Sequence, residues 1–149
     1  MYSKSFKKIE NYLYTYNDID TQIKELKEKM LNYEYNQNYY RFIKNKSSSL
    51  EDFIIKKDRM KEIIVLKCKW KKIIITVLSK YEKEDRLKYQ FIKLKYMKRA
   101  NTNSIAQKLN LNYKEQEKLK DEILQYIYSF AIKNGMLNDV SIDIWIRSF

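Results

Sequence analysis

The side chains with the clearest chemical potential in this chain of 149 residues lie at the start of one predicted helix. Gln116 can form two hydrogen bonds with adenine, and Lys118 can bind guanine or a phosphate. Glu117 can accept a hydrogen bond from cytosine, although its charge repels phosphate. On a helix that lies in the major groove, side chains of these types could contact nucleic acid. The predicted DNA-facing set is Asn112, Tyr113, Lys114, Gln116, Glu117 and Lys118.

The composition offers little support for an enzyme. There is no histidine, and Cys68 is the single cysteine. Histidine-based acid–base catalysis, His-activated nucleophiles and the common zinc sites are therefore excluded. The carboxylates are not paired with a glycine-rich phosphate loop, since the chain has one glycine. We predict a protein that is not an enzyme and that needs no metal or cofactor.

Positive charge is concentrated in the middle of the chain. Residues 56–99 carry 16 basic and 5 acidic side chains, whereas residues 1–55 have a net charge of +1 and residues 100–149 have none. Such a field attracts phosphate or an acidic protein surface. An AT-rich coding sequence is an alternative source of part of this lysine content. The predicted flanking-phosphate contacts are Lys93, Lys95, Lys98 and Arg99, and the predicted partner or phosphate contacts are Lys67, Lys69, Lys71 and Lys72.

Two long striped segments must form the first half of the chain. Apolar side chains recur at helical spacing from Phe6 to Tyr33, with an irregular step between Leu13 and Ile19 that indicates a break. Residues 34–47 lose the regular apolar spacing and are predicted to be a connection with some local structure. Ser48 and Glu51 fit a capping box, so a second long helix should begin there. We expect an antiparallel helical hairpin over residues 1–82, with a coiled-coil homodimer as the alternative use of the stripes.

The second half of the chain has the pattern of a helix-turn-helix. A third helix should run from Glu84 to about Lys98, with its inward side chains at Leu87, Phe91, Leu94 and Tyr96. Thr102 or Asn103 can cap the next helix, Asn110 suits the turn, and Asn112 can cap the last helix. That helix should end near Asn134 and Gly135. Residues 83–135 are the predicted helix-turn-helix domain.

The last residues have a different period. Val140, Ile142, Ile144 and Ile146 alternate with other residues, as in a strand. We therefore predict an extended tail over residues 136–149 after an all-α body. No apolar run approaches the roughly 20 residues of a membrane span. A cytoplasmic protein with no membrane contact is the simplest expectation.

Three stretches carry a resemblance to a known family: YNDIDTQIKELK, FIKLKYMKRANTNSIAQKLNLN and KLKDEIL. Over roughly residues 14–135 the chain resembles phage late-transcription activators of the RinA and ArpU type. That family is itself similar to the promoter-reading C-terminal domain of sigma factors. The resemblance implies a DNA-binding regulator of phage or prophage genes that acts with host RNA polymerase. Members often have a small residue at position 110 and a branched apolar residue at position 116, where this chain has Asn110 and Gln116.

Three functions remain open at this point. The first is a sequence-specific regulator that binds duplex DNA. The second is a phage-encoded interaction module or inhibitor that binds a host nucleic-acid-handling complex without reading DNA. Residues 114–122 motivate this second function, because they contain three lysines against four acids. The third is a structural coiled-coil assembly protein.

Overall fold

The computed structural model describes residues 4–44 and 48–136, with side chains described for residues 4–32, 52 and 54–136. Within those residues all regular structure is helical and no strand occurs, so the prediction of an all-α fold is confirmed. None of these helices combines the length and apolarity that a bilayer crossing requires, over the residues described. The α-helices are α1 (Lys4–Tyr14), α2 (Ile19–Lys44), α3 (Ser48–Glu84), α4 (Arg86–Ile92), α5 (Thr102–Leu109) and α6 (Tyr113–Lys133).

The chain falls into two compact units, and within the described residues one boundary lies between Asn17 and Asp18 and a second inside α3, between Lys69 and Trp70. Of the described residues, 4–17 and 70–136 form the larger unit, and 18–44 and 48–69 form the hairpin unit. The helix-turn-helix segment thus shares its unit with α1 and the end of α3. The separate domain predicted over residues 83–135 stays a prediction. Apart from Met136, the predicted extended tail lies outside the described residues.

The hairpin unit pairs α2 with the first part of α3. Lys67 Nζ donates a hydrogen bond to Gln22 Oε1 at 2.9 Å. The two residues lie at similar distances along the chain from residues 45–47, as an antiparallel hairpin requires. The prediction of a connection over residues 34–47 is wrong as far as Lys44, where α2 ends. No glycine or proline interrupts residues 34–44, so backbone hydrogen bonding continues after the apolar stripe has ended.

Two helix boundaries in the first half of the chain agree with the sequence-based predictions. A 3₁₀ turn at Tyr16–Asp18 separates α1 from α2, so the break expected between Leu13 and Ile19 is present. The α3 helix begins at Ser48, as predicted. The side chains of the proposed capping box, Ser48 and Glu51, lie outside the set that is described.

The core of the larger unit combines α1, the end of α3, α4 and α6. Trp70 is fully buried and stacks on Tyr12, with the ring centroids 4.7 Å apart and an interplanar angle of 12°. Such stacking adds about 0.5–1.5 kcal/mol to the burial of the rings. Other fully buried side chains are Ile9, Leu13, Ile74, Phe91, Ile92, Tyr96, Ile105, Ile123, Leu124 and Ile127.

The predicted third helix is shorter and less regular than expected. Asp85 caps α4, which ends at Ile92, and a π-helical segment follows at Lys93–Met97. Leu94 and Tyr96 are buried as predicted, but Leu87 is 39% exposed. Leu87 lies in the first turn of α4, whereas the buried side chains of this helix, Phe91 and Ile92, lie in its last turn. The prediction that Leu87 points inward is therefore wrong.

Candidate nucleic-acid interface

The turn between α5 and α6 has the geometry of a helix-turn-helix. Asn101 caps α5, and its side chain accepts a hydrogen bond from Ser104 N at 2.8 Å. The predicted caps Thr102 and Asn103 are wrong, because Thr102 is already helical. Asn110 adopts the left-handed conformation, with φ 55° and ψ 46°, as expected for the turn residue. Since α5 packs against both α4 and α6, the turn is held from two sides.

Asn112 begins α6 with a reciprocal cap. Its Oδ1 accepts from Glu115 N at 2.8 Å, and its Nδ2 donates to Glu115 Oε1 at 2.8 Å. The predicted cap is confirmed. Because both polar atoms of the Asn112 amide bind Glu115, this side chain already has a structural task at the position where a base contact is predicted.

Gln116 points into the protein. It is 6% exposed, and its Nε2 donates to Thr102 O and Leu111 O, each at 3.1 Å. Residue 116 shares the inward face of α6 with Ile123 and Ile127, seven and eleven residues later. The structure therefore contradicts the prediction that Gln116 reads adenine. The helical period places residue 116 on the same face as Ile123 and Ile127 and so predicts its burial. The amide group of Gln116, which can bind adenine, favoured an outward position instead.

The outer face of α6 begins with exposed Tyr113, Lys114 and Lys118; Tyr113 is 65% exposed. Glu117 is half-buried and its Oε2 lies 2.9 Å from Lys120 Nζ. Burial is the largest single effect on Lys120 and lowers its pKa, but the hydrogen bond with Glu117 and the charges of Glu117, Glu10 and Asp121 together raise that pKa above its ordinary value. The charge of Glu117 is thus offset within α6. The members of the predicted set that remain directed outward without such an internal bond are Tyr113, Lys114 and Lys118.

The predicted phosphate contacts lie at the end of α4 and just after it. Lys93 and Lys95 are half-buried, and each ammonium lies 5.7 Å from a ring centroid, of Tyr89 and Tyr96 respectively. Lys98 is exposed. Arg99 is exposed, has φ 53°, and donates from Nη2 to Tyr14 O at 3.3 Å.

The π-helical segment, which carries Lys93 and Lys95 and directly precedes Lys98 and Arg99, is held against α1. Tyr96 donates from its hydroxyl to Glu10 Oε2 at 2.7 Å, and Asn17 Nδ2 donates to Met97 O at 3.2 Å. The α1 helix also packs against α6. The α1 helix therefore contacts both the segment with the flanking cations and the helix α6.

The predicted lysine set on α3 does not act as one group. Lys67 is half-buried and bonded to Gln22, and burial lowers its pKa. Lys69 and Lys72 are exposed, whereas Lys71 is half-buried and has an interaction of its own. Lys67 and Lys69 belong to the hairpin unit, and Lys71 and Lys72 belong to the larger unit. Only Lys69 and Lys72 match the expectation of outward lysines that an external phosphate can reach.

The described residues hold no group of three or more His, Cys, Asp or Glu side chains that could bind a metal ion. Comparison of the chain with protein-family models, with curated proteins and with solved structures gives no match in any of the three. The geometry of α5, the turn and α6 is the feature of the described residues that points to a function.

Proposed function

We propose that the chain is a DNA-binding transcriptional regulator of phage or prophage genes that acts with host RNA polymerase. The observation that carries the DNA-binding part is the capped α5, left-handed Asn110 and capped α6, which leave the first turns of α6 open on their outer side. A helix-turn-helix inserts this part of its second helix into the major groove. The phage setting and the polymerase partner rest on the resemblance to late-gene activators.

The proposed contacts divide into two tasks. Lys114 and Lys118 reach base edges or nearby phosphates from α6, and Tyr113 supplies an apolar surface beside them. Lys93, Lys95, Lys98 and Arg99 neutralise phosphates that flank the groove. Gln116 and Asn112 hold the helix-turn-helix together and contact DNA through neither of their bonded amide groups.

The test begins with an unbiased selection of duplex fragments by the purified full chain. We expect an enriched motif, and an affinity that falls steeply as salt rises. Lys114→Ala combined with Lys118→Ala should weaken binding to the selected duplex at least about tenfold. The matched control is Lys24→Ala with Lys27→Ala, which removes the same charge from exposed positions on α2. Equally weak affinity for selected and shuffled duplexes would contradict a sequence-specific regulator.

One observation favours a second function, a protein-interaction module. The segment 114–122 has three lysines and four acids, so it has little charge to attract phosphate, and its neutral Gln116 is buried and cannot read a base. Under this alternative the purified chain retains a stable partner from host lysate and enriches no DNA motif. Motif enrichment that depends on Lys114 and Lys118 would exclude it as the main function.

A further inference from the structure

A surface groove beside α6 in the larger unit has an aromatic lining. It has a volume of about 1080 Å³, and its rings come from Phe6 of α1, Tyr81 of α3 and Tyr126 of α6. The centroids of Tyr81 and Tyr126 lie 5.5 Å apart, with the rings tilted by 51°. Such rings can bind apolar stems and cations. We call this feature the aromatic groove.

The charge of the aromatic groove is opposite to that of the chain. Five carboxylates line it against two lysines, which gives a net charge of −3 in a protein of net charge +12. Carboxylates in a groove repel phosphate and attract cations. They come from two separate stretches of sequence, 84–85 and 117–122. The five are Glu84, Asp85, Glu117, Asp121 and Glu122.

Cations already occupy positions against these rings. Lys80 Nζ lies 4.6 Å from the centroid of Tyr126, and its hydrogen bond with that side chain raises the pKa of Lys80. Lys88 Nζ lies 5.5 Å from the centroid of Tyr81. The same ammonium is 3.5 Å from both Asp85 and Glu122. The groove therefore has the combination of ring faces and carboxylates that binds basic side chains.

Part of this internal pairing is weak enough to be exchanged. The Lys80–Glu84 pair is 4.0 Å long, and its side chains are 43% and 66% exposed. Exposed pairs of this kind contribute at most about 1 kcal/mol. An arginine from outside can form stronger contacts, since its guanidinium stacks on a ring while binding a carboxylate through two hydrogen bonds.

We propose that the aromatic groove binds an arginine-bearing basic segment of a partner protein. The aromatic rings receive the stem and the flat guanidinium, and Asp121 and Glu122 bind its N–H groups. Glu117 is the only lining residue that also belongs to the predicted DNA-facing set. The proposal does not depend on DNA binding, and a protein contact on this groove is compatible with a duplex on the outer face of α6.

The probe is a fluorescently labelled eight-residue peptide that alternates arginine and alanine. Its binding to the full chain is measured by fluorescence anisotropy. The comparison peptide has glutamate in place of arginine. Non-specific attraction to a chain of net charge +12 would favour the glutamate peptide, so saturable binding of the arginine peptide indicates the groove. We expect Asp121→Asn with Glu122→Gln to weaken arginine-peptide binding at least about tenfold. Tyr126→Leu should weaken it about fivefold.

The matched control is Asp58→Asn with Glu62→Gln, which removes two carboxylates from exposed positions of α3 outside the groove lining. Its affinity for the arginine peptide should equal that of the parent chain. Circular dichroism melting confirms that each variant is folded. Lack of saturable arginine-peptide binding, or an equal loss in the control, would overturn the proposal. The Asp121→Asn, Glu122→Gln variant should retain binding to the selected duplex, which separates this test from that of the proposed function.

Discussion

Gln116 Nε2 donates hydrogen bonds to the carbonyl oxygens of Thr102 and Leu111, each 3.1 Å away. A single side chain on α6 thereby holds the first turn of α5 and the residue that follows the left-handed turn. Because the side chain is 6% exposed, the amide is not presented to an external ligand. Gln116 thus stabilises the helix-turn-helix from inside, where an apolar residue could fill space but could not bind the two carbonyls.

Replacement of Gln116 by alanine should destabilise the protein. The change leaves the Thr102 and Leu111 carbonyls without this donor and opens space in the interior, so we expect the free energy of unfolding to fall by about 1–3 kcal/mol. Urea denaturation measures the loss. Gln107→Ala is the control, because residue 107 is exposed on α5 and its loss should stay within about 0.5 kcal/mol. Equal losses in the two variants would show that the two hydrogen bonds contribute little.

The left-handed conformation of Asn110 can be tested by substitution. Asn110→Val should lower the free energy of unfolding by about 1–2 kcal/mol, since a branched side chain clashes at φ 55°. Asn110→Gly should cause no loss, because glycine adopts positive φ without a clash. Asn103→Val, at an exposed right-handed position within α5, is the control. A valine that is tolerated at 110 as well as at 103 would argue against this turn geometry.

The salt dependence of the proposed DNA binding should report the contribution of the flanking cations. Lys98→Ala removes one exposed charge, so the slope of log affinity against log salt should become shallower by about 1, with the selected motif unchanged. Lys133→Ala at the far end of α6 removes an equal exposed charge and should leave the slope nearly unchanged. Identical slopes for the parent chain and Lys98→Ala would remove Lys98 from the phosphate contacts.

Tyr81 should make the protein less stable in alkali. Burial raises the pKa of Tyr81 above its ordinary value of 10.0, and Tyr126, Asp85 and Glu122 reinforce the rise. Above pH 10.0 the hydroxyl of Tyr81 releases its proton in the unfolded chain but retains it in the folded chain. The contribution of Tyr81 to stability is therefore fully present below pH 10.0 and declines as pH rises further.

Tyr81→Phe should remove this part of the alkaline loss. The measurement is the free energy of unfolding from urea denaturation between about pH 8 and about pH 11. Tyr113→Phe, at an exposed position, should retain the full pH dependence of the parent chain. Parallel curves for the parent chain and Tyr81→Phe would show that the hydroxyl of Tyr81 titrates alike in the folded and unfolded states.

Local signals in the sequence predicted much of the helical framework. Asn112 caps the start of α6, and the helix ends at Lys133, followed by the C-cap Asn134 and by Gly135 with φ 70°. Met136 N donates to Ala131 O and Gly135 N to Ile132 O, which completes the expected stop. The break before Ile19 and the start of α3 at Ser48 also follow from residues near them in the chain. Helix ends depend on backbone groups within a few residues, and a sequence states those residues directly.

The direction of individual side chains depended on packing. Gln116 has the chemistry of a base-reading residue, and only the positions of the Thr102 and Leu111 carbonyls show that it is used internally. Lys67 belongs to a basic run, yet its ammonium binds Gln22 in another helix. A polar side chain can serve either solvent or a buried partner, and the choice is set by atoms that are distant in the chain.

The sequence by itself determined the all-α fold of the described residues, most of their helix ends and the location of the positive charge, because each follows from period, caps and composition. Only the tertiary structure decided which residues of α6 face outward, and that Phe6, Tyr81 and Tyr126 share one acidic groove. Those rings are separated by tens of residues, and no local pattern encodes their distance. They meet because the buried faces of α1, α3 and α6 pack into one core, which places the outward residues at its edge.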